Sequence, residues 1–485
     1  MKLNRATVLK GSTGLAAVAC GLFPGIALAQ DQEGNESAYS GGLDAIVVTA
    51  RRVTENLQEV PLSVAALADE ALQARGISSI TDVKSAVPNL VVVKTNVPGG
   101  NIVQMRGLAS ANVPNVSIDS AVALYVDGVY LARPQSSGGE IVDITRIEAL
   151  RGPQGTLSGR SALSGAVNFV TAEPTGEWGG ILEGTVGNQG RIRGRATINT
   201  ETYGGFSARV TYVHDETRGT IPNLAAGIKY NWGDFHGSYT SAKRAYASNI
   251  DAVMAKVKYE SDNFTATYKF DRTDQLETYP GVSATGFPTT ALGQAGASLS
   301  LFQAPGTNIF YRGRPKSINQ ETFAPAEIDT LGHMLTAELW LTDDLSIKSI
   351  TAYREVDAFA QSDVDSVRLI SAAPGIGEFE LCLSCSVLGT TQEQMSQELQ
   401  LIGTTERVDY IIGGLYFREK GYSELAFMSG KALIPGRGWG AAGPADDGEW
   451  RGRGAHFQPG RQRGREERQR AAHLRPLSPR HEPGR

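Results

Sequence analysis

Two patterns of apolar positions divide the chain. Between about residues 53 and 172, short apolar runs alternate with short helix-forming segments, and Pro, Gly or Asn bounds each of them. After Pro174, apolar residues recur at every second position over long stretches, which is the period of a β-strand with two different faces. The pattern therefore predicts an α+β domain followed by a large antiparallel β-sheet.

The first region is predicted to contain four strands and two brief helices. The strands are expected at residues 62–64, 90–93, 102–105 and 122–126. The helices are expected at residues 69–75 and 79–87. Asp69 and Ser79 are the predicted N-caps and Gly76 is a predicted C-cap, because side-chain oxygens cap helix starts and glycine accepts the left-handed conformation that ends helices.

The clearest hairpin of the second region has a polar turn at residues 261–263. One face of its two strands is apolar and carries Val253, Ala255, Val257, Tyr259, Phe264, Ala266, Tyr268 and Phe270. The opposite face is polar and carries Lys256, Lys258, Glu260, Thr265, Thr267, Lys269 and Asp271. Such strands suit a wall with lipid on one side and water or a plug on the other.

Further alternating segments extend this wall. A second hairpin is predicted from residue 335 to 347 with a turn at 342–344, and other strands are expected at 180–186, 207–213, 394–402 and 408–417. Long polar stretches such as 275–328 are expected to be external loops. A soluble β-sandwich also alternates, but the contrast between short turns and long loops favours a transmembrane β-barrel.

The first 52 residues fit neither pattern. A positive start, an apolar run and the small residues Ala27 and Ala29 predict a signal peptide over residues 1–29, with Gln30 as the first mature residue. Residues 30–42 are polar and are expected to be a mobile leader. The β-branched run at 46–50 either adds to the sheet edge of another protein or forms the first strand of the next domain, and the pattern leaves both interpretations open.

Composition and charge exclude several classes of protein. A net charge of −5 gives no reason to expect a nucleic-acid partner. Cys382 and Cys385 are separated by two residues, and in an oxidising compartment they are expected to form a local disulfide rather than a metal site. His214, His236 and His333 lack metal-ligand spacing. No Ser/His/Asp arrangement has supporting context, so we predict no enzyme, no metal and no cofactor.

Several motifs resemble the plug domain of TonB-dependent outer-membrane receptors. They are RIEALRGPQGTL at 146–157, SGAVNFVT at 164–171, LYVDGVY at 124–130, MRG at 105–107 and EVPLSV at 59–64, and they occur in the order typical of the family. The run Ile46, Val47, Val48, Thr49 and Ala50 resembles the TonB box. The resemblance assigns structural roles in the plug to Arg106, Gly107, Asp127, Gly128, Arg146, Glu148, Arg151, Gly152, Pro153, Gln154, Gly155, Gly159, Arg160, Gly165 and Asn168.

Arg151 and Arg160 are expected to seat the plug through ion pairs and carbonyl contacts, with ligand binding as the alternative role. The resemblance further implies energised uptake of a scarce ligand across the outer membrane. By the same resemblance, the ligand is expected to bind at the outer surface, periplasmic TonB to bind the box, and the proton-motive force to move the plug. A ferric siderophore is the most frequent ligand in the family, and a carbohydrate or cobalamin is the alternative. The alternative class of protein is a passive porin, which has neither a plug nor a TonB box.

The expected domains are a signal peptide (1–29), a leader with TonB box (30–52), a plug (53–174), the N-terminal part of a β-barrel (175–435) and a non-barrel tail (436–485).

Receptors of this family resemble 22-stranded barrels, and residues 178–435 leave space for about half of such a wall. Residues 451–485 hold ten Arg and no Lys, Ile, Val or Tyr. This composition favours out-of-frame translation over a basic tail for anionic lipid or nucleic acid. The hypothesis is a C-terminally truncated receptor, whose unpaired edge in lipid would prevent transport.

Overall fold

The computed structural model describes part of the chain. The described residues are 47–48, 55–56, 58, 63–77, 80–84, 86–94, 101–109, 119–133, 142–155, 162–231, 238–279, 315–320, 323–363, 369–373, 377–382, 385–428, 431–434 and 438–441. None of the helices formed by these residues has the length and apolar character needed to cross a membrane. The predicted signal peptide, most of the leader and the tail after residue 441 lie outside the described residues.

The N-terminal region forms two helices and ten short strands. The helices are α1 (Asp69–Arg75) and α2 (Ile80–Val83). The strands are β1 (Val47–Val48), β2 (Glu55–Asn56), β3 (Val64–Ala68), β4 (Leu90–Lys94), β5 (Asn101–Met105), β6 (Leu108–Ala109), β7 (Val122–Val126), β8 (Val129–Leu131), β9 (Ile144–Arg151) and β10 (Gly165–Thr171). A five-stranded sheet has the order β3-β9-β10-β7-β8, in which β10 and β7 are parallel. We call this sheet, the three-stranded sheet β4-β5-β6 and the two helices the plug.

The plug has an apolar core between its main sheet and its helices. Leu72 of α1 and Val83 of α2 pack in one buried cluster with Val103, Val167 and Phe169. Every residue of β7 is buried, which explains why its sequence is a continuous apolar run rather than an alternating one. The predicted α+β domain is therefore present.

The predicted helix 69–75 is confirmed as α1, with Gly76 as its C-cap, whereas the N-cap assignment of Asp69 was wrong and the second predicted helix was too long. The predicted N-cap Ser79 lies outside the described residues. Ala68 takes the N-cap position with an extended backbone, so Asp69 is the first helical residue and not the cap. Its carboxylate still lies in the first turn, where the helix dipole favours negative charge. The second helix ends at Val83 rather than at 87. Pro88 explains why Val87 is not helical, because a proline disfavours helical backbone at the residue before it.

The C-terminal region is dominated by one nine-stranded sheet. Its strands are β11 (Gly179–Val186), β12 (Ile192–Asn199), β13 (Phe206–Pro222), β16 (Arg244–Ser261), β17 (Phe264–Glu277), β18 (Ala326–Thr342), β19 (Leu345–Asp363), β22 (Cys385–Thr404) and β23 (Asp409–Met428). They pair in this order, each antiparallel to the next. We call this sheet the wall. Among the described residues no pairing joins β11 to β23, so both are edges of the wall.

Both predicted hairpins are confirmed. Ser261 pairs with Phe264 at the turn between β16 and β17. Thr342 pairs with Leu345 at the turn between β18 and β19. The wall strands extend well beyond the predicted segments at the end opposite these turns, because their pairing continues to Pro222 in β13 and Asp363 in β19.

The two faces of the wall differ as the alternation predicted. Lys256 and Lys269 are only 2% and 4% exposed and face the plug, whereas their neighbours Val257 and Tyr268 are each 43% exposed on the outer face. Apolar plug residues also contact the inner face, since Val129 packs against Ile350 and Ala352. A single sheet with a separate domain against its inner face is not a sandwich. The structure supports the predicted plug and incomplete barrel.

Smaller sheets lie beyond the wall strands. Strands β14 (Lys229–Asn231) and β15 (Ser238–Thr240) form one hairpin. Strands β20 (Leu369–Ala373), β21 (Gly377–Cys382), β24 (Lys431–Ile434) and β25 (Gly438–Ala441) form a four-stranded sheet. The pair β24 and β25 spans the domain boundary expected at residue 435. Cys385 is disulfide-bonded. The side chain of Cys382 lies outside the described residues, so the local pairing stays a prediction.

Candidate functional site: the plug–wall interface

A tight turn of the plug places one carboxylate on the wall. Asp127 and Gly128 join β7 to β8, and both have positive φ (48° and 82°), which is the type I′ geometry that favours Asp-Gly in two-residue hairpins. The Asp127 carboxylate accepts hydrogen bonds from the backbone nitrogen of Thr171 (2.8 Å) and from its hydroxyl (2.7 Å). Asp127 therefore ties the β7–β8 turn to the end of β10.

Two wall lysines bind the same carboxylate. The Lys269 ammonium lies 2.6 Å from Asp127 Oδ2, and the Lys256 ammonium lies 3.9 Å from it. Lys256 also donates to Glu173 (2.6 Å) and to the Thr171 carbonyl (3.2 Å). Burial of Asp127 favours its neutral form, but the ammonium groups of Lys269 and Lys256 outweigh burial and hold the pKa of this carboxyl well below its ordinary value of 3.8. Asp127 is therefore an anion at neutral pH.

A second plug carboxylate contacts the other end of the wall. Asp143 has a φ of 62° just before β9, and its carboxylate accepts two hydrogen bonds from Arg209 of β13, at 2.5 and 2.8 Å. Arg195 of β12 and the Thr211 hydroxyl (2.9 Å) bind the same carboxylate. Burial favours the neutral form of Asp143, but the hydrogen bonds and charge of Arg209 and the charge of Arg195 lower its pKa below 3.8.

The third contact lies on the last two wall strands. The Arg133 guanidinium makes two bonds to the Glu419 carboxylate, at 2.5 and 2.8 Å. Beside it, the Gln394 amide accepts from the Ala132 nitrogen (3.1 Å) and donates to the Tyr130 carbonyl (2.6 Å), as a neighbouring strand would. These bonds satisfy backbone groups at the end of β8 that would otherwise be buried without partners.

Inside the plug, the motif residues form the sheet that presents these groups. Glu148 is fully buried on β9 and accepts a hydrogen bond from Arg146 (2.7 Å). Asn168 of β10 lies within 3.5 Å of Glu148 and accepts a hydrogen bond from the Gly128 nitrogen (3.2 Å). A polar chain therefore runs from the centre of the sheet to the Asp127 turn.

Two glycines of the motif are required by close approach. A Cβ at Gly165 would lie 2.2 Å from Met105 Sδ and 2.5 Å from the Leu150 carbonyl oxygen. A Cβ at Gly152, which has a φ of 106°, would meet the Arg106 guanidinium at 3.1 Å. A larger side chain at either position would meet neighbouring atoms, and the turn beside them is formed by Arg106 and Gly107, both of which have positive φ.

The remaining predicted residues are placed as follows. The nitrogens of Gly152 and Gln154 donate to the carbonyls of Ser164 and Ala162, on either side of Pro153, and Gly155 closes this described segment. Arg151 ends β9, and its Nε has no hydrogen-bond partner among the described residues, so its seating role stays a prediction. Gly159 and Arg160 lie outside the described residues, as do Ile46, Thr49 and Ala50. Val47 and Val48 form β1 and pair with β2 of the same chain.

Sequence reasoning missed most of the seating groups. Asp143, Arg133, Arg209, Gln394 and Glu419 were not singled out. Arg209 lies in a predicted alternating strand, and the alternation places its side chain on the inner face. The sequence could therefore have indicated that Arg209 faces the plug. Asp143 and Arg133 lie in segments without a period, and their partners are 66 and 286 residues away.

A cavity of about 400 Å³ separates the plug sheet from the wall near the short turns. Plug residues on one side include Asp127, Glu148 and Asn168, and wall residues on the other include Lys256, Lys269 and Trp340. Its volume is within the range of small-molecule pockets. Within the described residues, no group of three or more His, Cys, Asp or Glu is placed to hold a metal ion.

A plug seated by charged groups inside a two-faced antiparallel wall is the arrangement of a plugged outer-membrane receptor. The family model for the TonB-dependent receptor plug domain matches residues 56–166. The chain is 29% identical over 210 residues to the pesticin receptor of Yersinia pestis, which is 42% of this chain and 29% of that protein. It is 24% identical over 262 residues to the vitamin B12 transporter BtuB of Photobacterium profundum, which is 46% of this chain and 42% of that protein.

Solved structures share the fold. The closed form of the ferric-catecholate import receptor Fiu from Escherichia coli K12 has a TM-score of 0.55 at 14% identity, covering 76% of this chain and 48% of that chain. The siderophore receptor PiuA from Acinetobacter baumannii has a TM-score of 0.53 at 16% identity, covering 79% and 48%. The chain is therefore similar to the TonB-dependent outer-membrane receptors, as its motifs predicted, and its predicted outer-membrane location agrees with that of these relatives. It spans less than half the length of each relative named here.

Proposed function

We propose that the chain serves TonB-dependent, energised uptake of a ferric siderophore across the outer membrane. The observation that carries this proposal is the chemistry of the plug–wall interface. The plug has its own apolar core, while its carboxylates Asp127 and Asp143 meet the wall through ion pairs and hydrogen bonds. An interface of this kind can open without unfolding the plug core, because the groups that it exposes are polar and water can solvate them.

The N-terminal strand supports coupling to a periplasmic partner. Val47 and Val48 pair with the two-residue strand Glu55–Asn56, which is too short to hold them strongly. A short β-branched strand released from such a pair can add to the sheet edge of a partner through main-chain hydrogen bonds. The predicted TonB box, residues 46–50, is therefore proposed as the TonB-binding segment.

The ligand class rests on the relatives. The names of the reported proteins include a pesticin receptor, a ferric-catecholate import receptor and a vitamin B12 transporter. Ferric siderophores are the class we propose for this chain, and cobalamin and carbohydrate are alternatives that uptake measurements distinguish.

The test measures uptake by cells that lack their own receptors and express this chain. Radioactive iron is supplied as a ferric catecholate or a ferric hydroxamate, and labelled cyanocobalamin and a labelled maltodextrin are supplied separately. One variant lacks residues 43–52, and a control variant lacks the same number of polar leader residues, 31–40. We expect iron uptake that a protonophore abolishes, that the 43–52 deletion abolishes and that the control deletion leaves intact.

Each other outcome changes a defined part of the proposal. Uptake that survives both the 43–52 deletion and the protonophore would contradict energised transport and indicate a diffusion channel. Uptake of cobalamin or maltodextrin in place of iron would overturn the ligand class. Absence of the chain from the outer-membrane fraction would support the alternative that it is a non-functional receptor fragment.

A further inference from the structure

Charge is divided unequally across the cavity between plug and wall. The wall side carries four lysines and one carboxylate, and the plug side carries carboxylates and no lysine or arginine. We call the four wall lysines the lysine strip: Lys256, Lys258, Lys269 and Lys348. The facing carboxylates are Asp127, Glu148 and Glu173. At rest, Asp127 and Glu173 pair with the wall lysines across this cavity, while Glu148 pairs with Arg146 inside the plug.

Two lysines of the strip lie directly opposite each other. Lys256 of β16 and Lys269 of β17 are cross-strand partners, and their side chains are 2% and 5% exposed. Like charges at directly opposite positions repel, and buried ammonium groups need a counter-charge. Asp127 supplies it from the plug at 2.6 and 3.9 Å. Lys256 and Lys269 therefore have the geometry of a binding site for one anionic oxygen group.

The other two lysines of the strip differ in their pairing, because the Lys258 ammonium lies 2.5 Å from the carboxylate of Glu260 on its own strand, whereas Lys348 is less firmly paired. Lys348 lies 3.6 Å from Glu338, beyond the length of a good hydrogen bond, and is 30% exposed. Directly across from Lys348 on β22 is Gln400, which is 4% exposed and whose Oε1 has no hydrogen-bond partner among the described residues. The same holds for Thr336 Oγ1, which also lines the cavity. These two oxygens can accept hydrogen bonds from hydroxyl or amide donors.

We propose that the lysine strip is an anion-binding surface of the inner wall, which the plug carboxylates Asp127 and Glu173 occupy at rest and which an anionic, hydroxyl- or amide-bearing group of the ligand occupies once the plug yields. This inference rests on the proposed uptake function. The anionic oxygens of the ligand take the place of the plug carboxylates on the lysine strip. The buried lysines therefore keep a counter-charge while the plug moves. Anionic ferric chelates are the ligand class that this chemistry fits.

The test measures binding and not transport. The purified full chain in detergent micelles, without TonB, is titrated with citrate at low ionic strength by calorimetry. Glu173→Gln removes one plug counter-charge from Lys256, and because the Glu173 side chain is 55% exposed this change should not disturb folding. We expect the variant to bind citrate about fivefold tighter than the unmodified chain, because water around the exposed Glu173 carboxylate limits this ion pair to about 1 kcal/mol.

Three further titrations sharpen the result. Lys348→Gln in the Glu173→Gln background should reverse most of the gain, while the matched change Lys420→Gln, at an exposed position on β23, should leave it intact. Tricarballylate, which is citrate without its hydroxyl, should bind more weakly than citrate because it cannot donate to Gln400 or Thr336. Added salt should weaken every binding event.

The proposal is overturned if Glu173→Gln binds citrate no more tightly than the unmodified chain, or if Lys348→Gln leaves the gain unchanged. Circular dichroism and the heat-dependent gel mobility of each variant establish that it is folded. Because this measurement needs neither TonB nor transport, its failure leaves the uptake proposal standing. Failure of uptake in cells likewise leaves the binding result to stand alone.

Discussion

Asp127 and Asp143, two of the plug carboxylates that contact the wall, differ in what else they bind. Asp127 Oδ2 binds the wall lysines and the Thr171 hydroxyl, and its Oδ1 accepts from the Thr171 nitrogen, so this carboxylate contacts both the wall and the plug's own β10. The described side-chain partners of Asp143 are all wall residues: Arg195, Arg209 and Thr211. Lysine presents a point charge, whereas arginine presents a fork that fixes geometry. Asp127 therefore supports plug structure and seating together, and Asp143 supports seating alone.

Removal of Asp127 should have the largest effect. Asp127→Ala leaves Lys256 and Lys269 buried opposite each other without their shared anion and is expected to lower the free energy of unfolding by about 3–5 kcal/mol. Urea unfolding in detergent micelles measures the change. The control is Asp274→Ala, which removes a wall pair with Arg272 whose side chains are 48% and 56% exposed, and should cost less than about 1 kcal/mol. Equal losses in the two variants would contradict the seating role.

Asp143→Asn should have a smaller and more local effect. The loss of charge beside Arg209 and Arg195 is expected to weaken plug seating by about 2–3 kcal/mol, since hydrogen bonds between charged groups are worth that much. Hydrogen exchange should show unchanged protection in β7 and faster exchange where the plug meets β13. Asp215→Asn is the control, because Asp215 pairs with Arg191 and Arg193 within the wall. Faster exchange throughout the plug core in Asp143→Asn would make Asp143 a structural residue like Asp127.

Gly165→Ala tests plug structure without touching a charge. The new Cβ would lie 2.2 Å from Met105 Sδ and 2.5 Å from a backbone oxygen, so the strands must shift at a cost of about 1–3 kcal/mol. Gly155→Ala, where no atom lies within 4 Å, should be much milder. Thermal unfolding of the plug reports both variants. An equal effect of the two substitutions would exclude close packing as the reason for Gly165.

The pH dependence of seating follows from the lowered pKa values. Carboxyls whose pKa is lower in the folded than in the unfolded chain contribute stability that is complete above their ordinary value, here 3.8, and that is lost as pH falls towards the folded value. The stability advantage of the unmodified chain over Asp127→Asn with Asp143→Asn should therefore be constant from about pH 7 to 5 and shrink below about pH 4. Thermal midpoints across this range measure it. An advantage already lost at about pH 5 would contradict the ion-pair account.

The alternating wall could be predicted from sequence because its signal is local. The hairpin through residues 253–270 has period-two alternation and polar turn residues, and it folds as expected, with Lys256 and Lys269 inside. The Asp127–Gly128 turn was also identified within a motif. Neither its pairing with Lys269, 142 residues away, nor the contact of Asp143 with Arg209 could be predicted, because the period places Lys269 and Arg209 on the inner face of the wall but does not indicate which distant residue each of them meets.

The central claim is that Asp127 of the plug and Lys269 of the wall bind each other directly, and a double-mutant cycle tests it. Unfolding free energies are measured for the unmodified chain, Asp127→Asn, Lys269→Met and the double variant. The account predicts a coupling energy of at least about 1.5 kcal/mol, as found for close charge pairs at buried interfaces. Additive effects, within about 0.5 kcal/mol, would show that the plug is not seated through this pair.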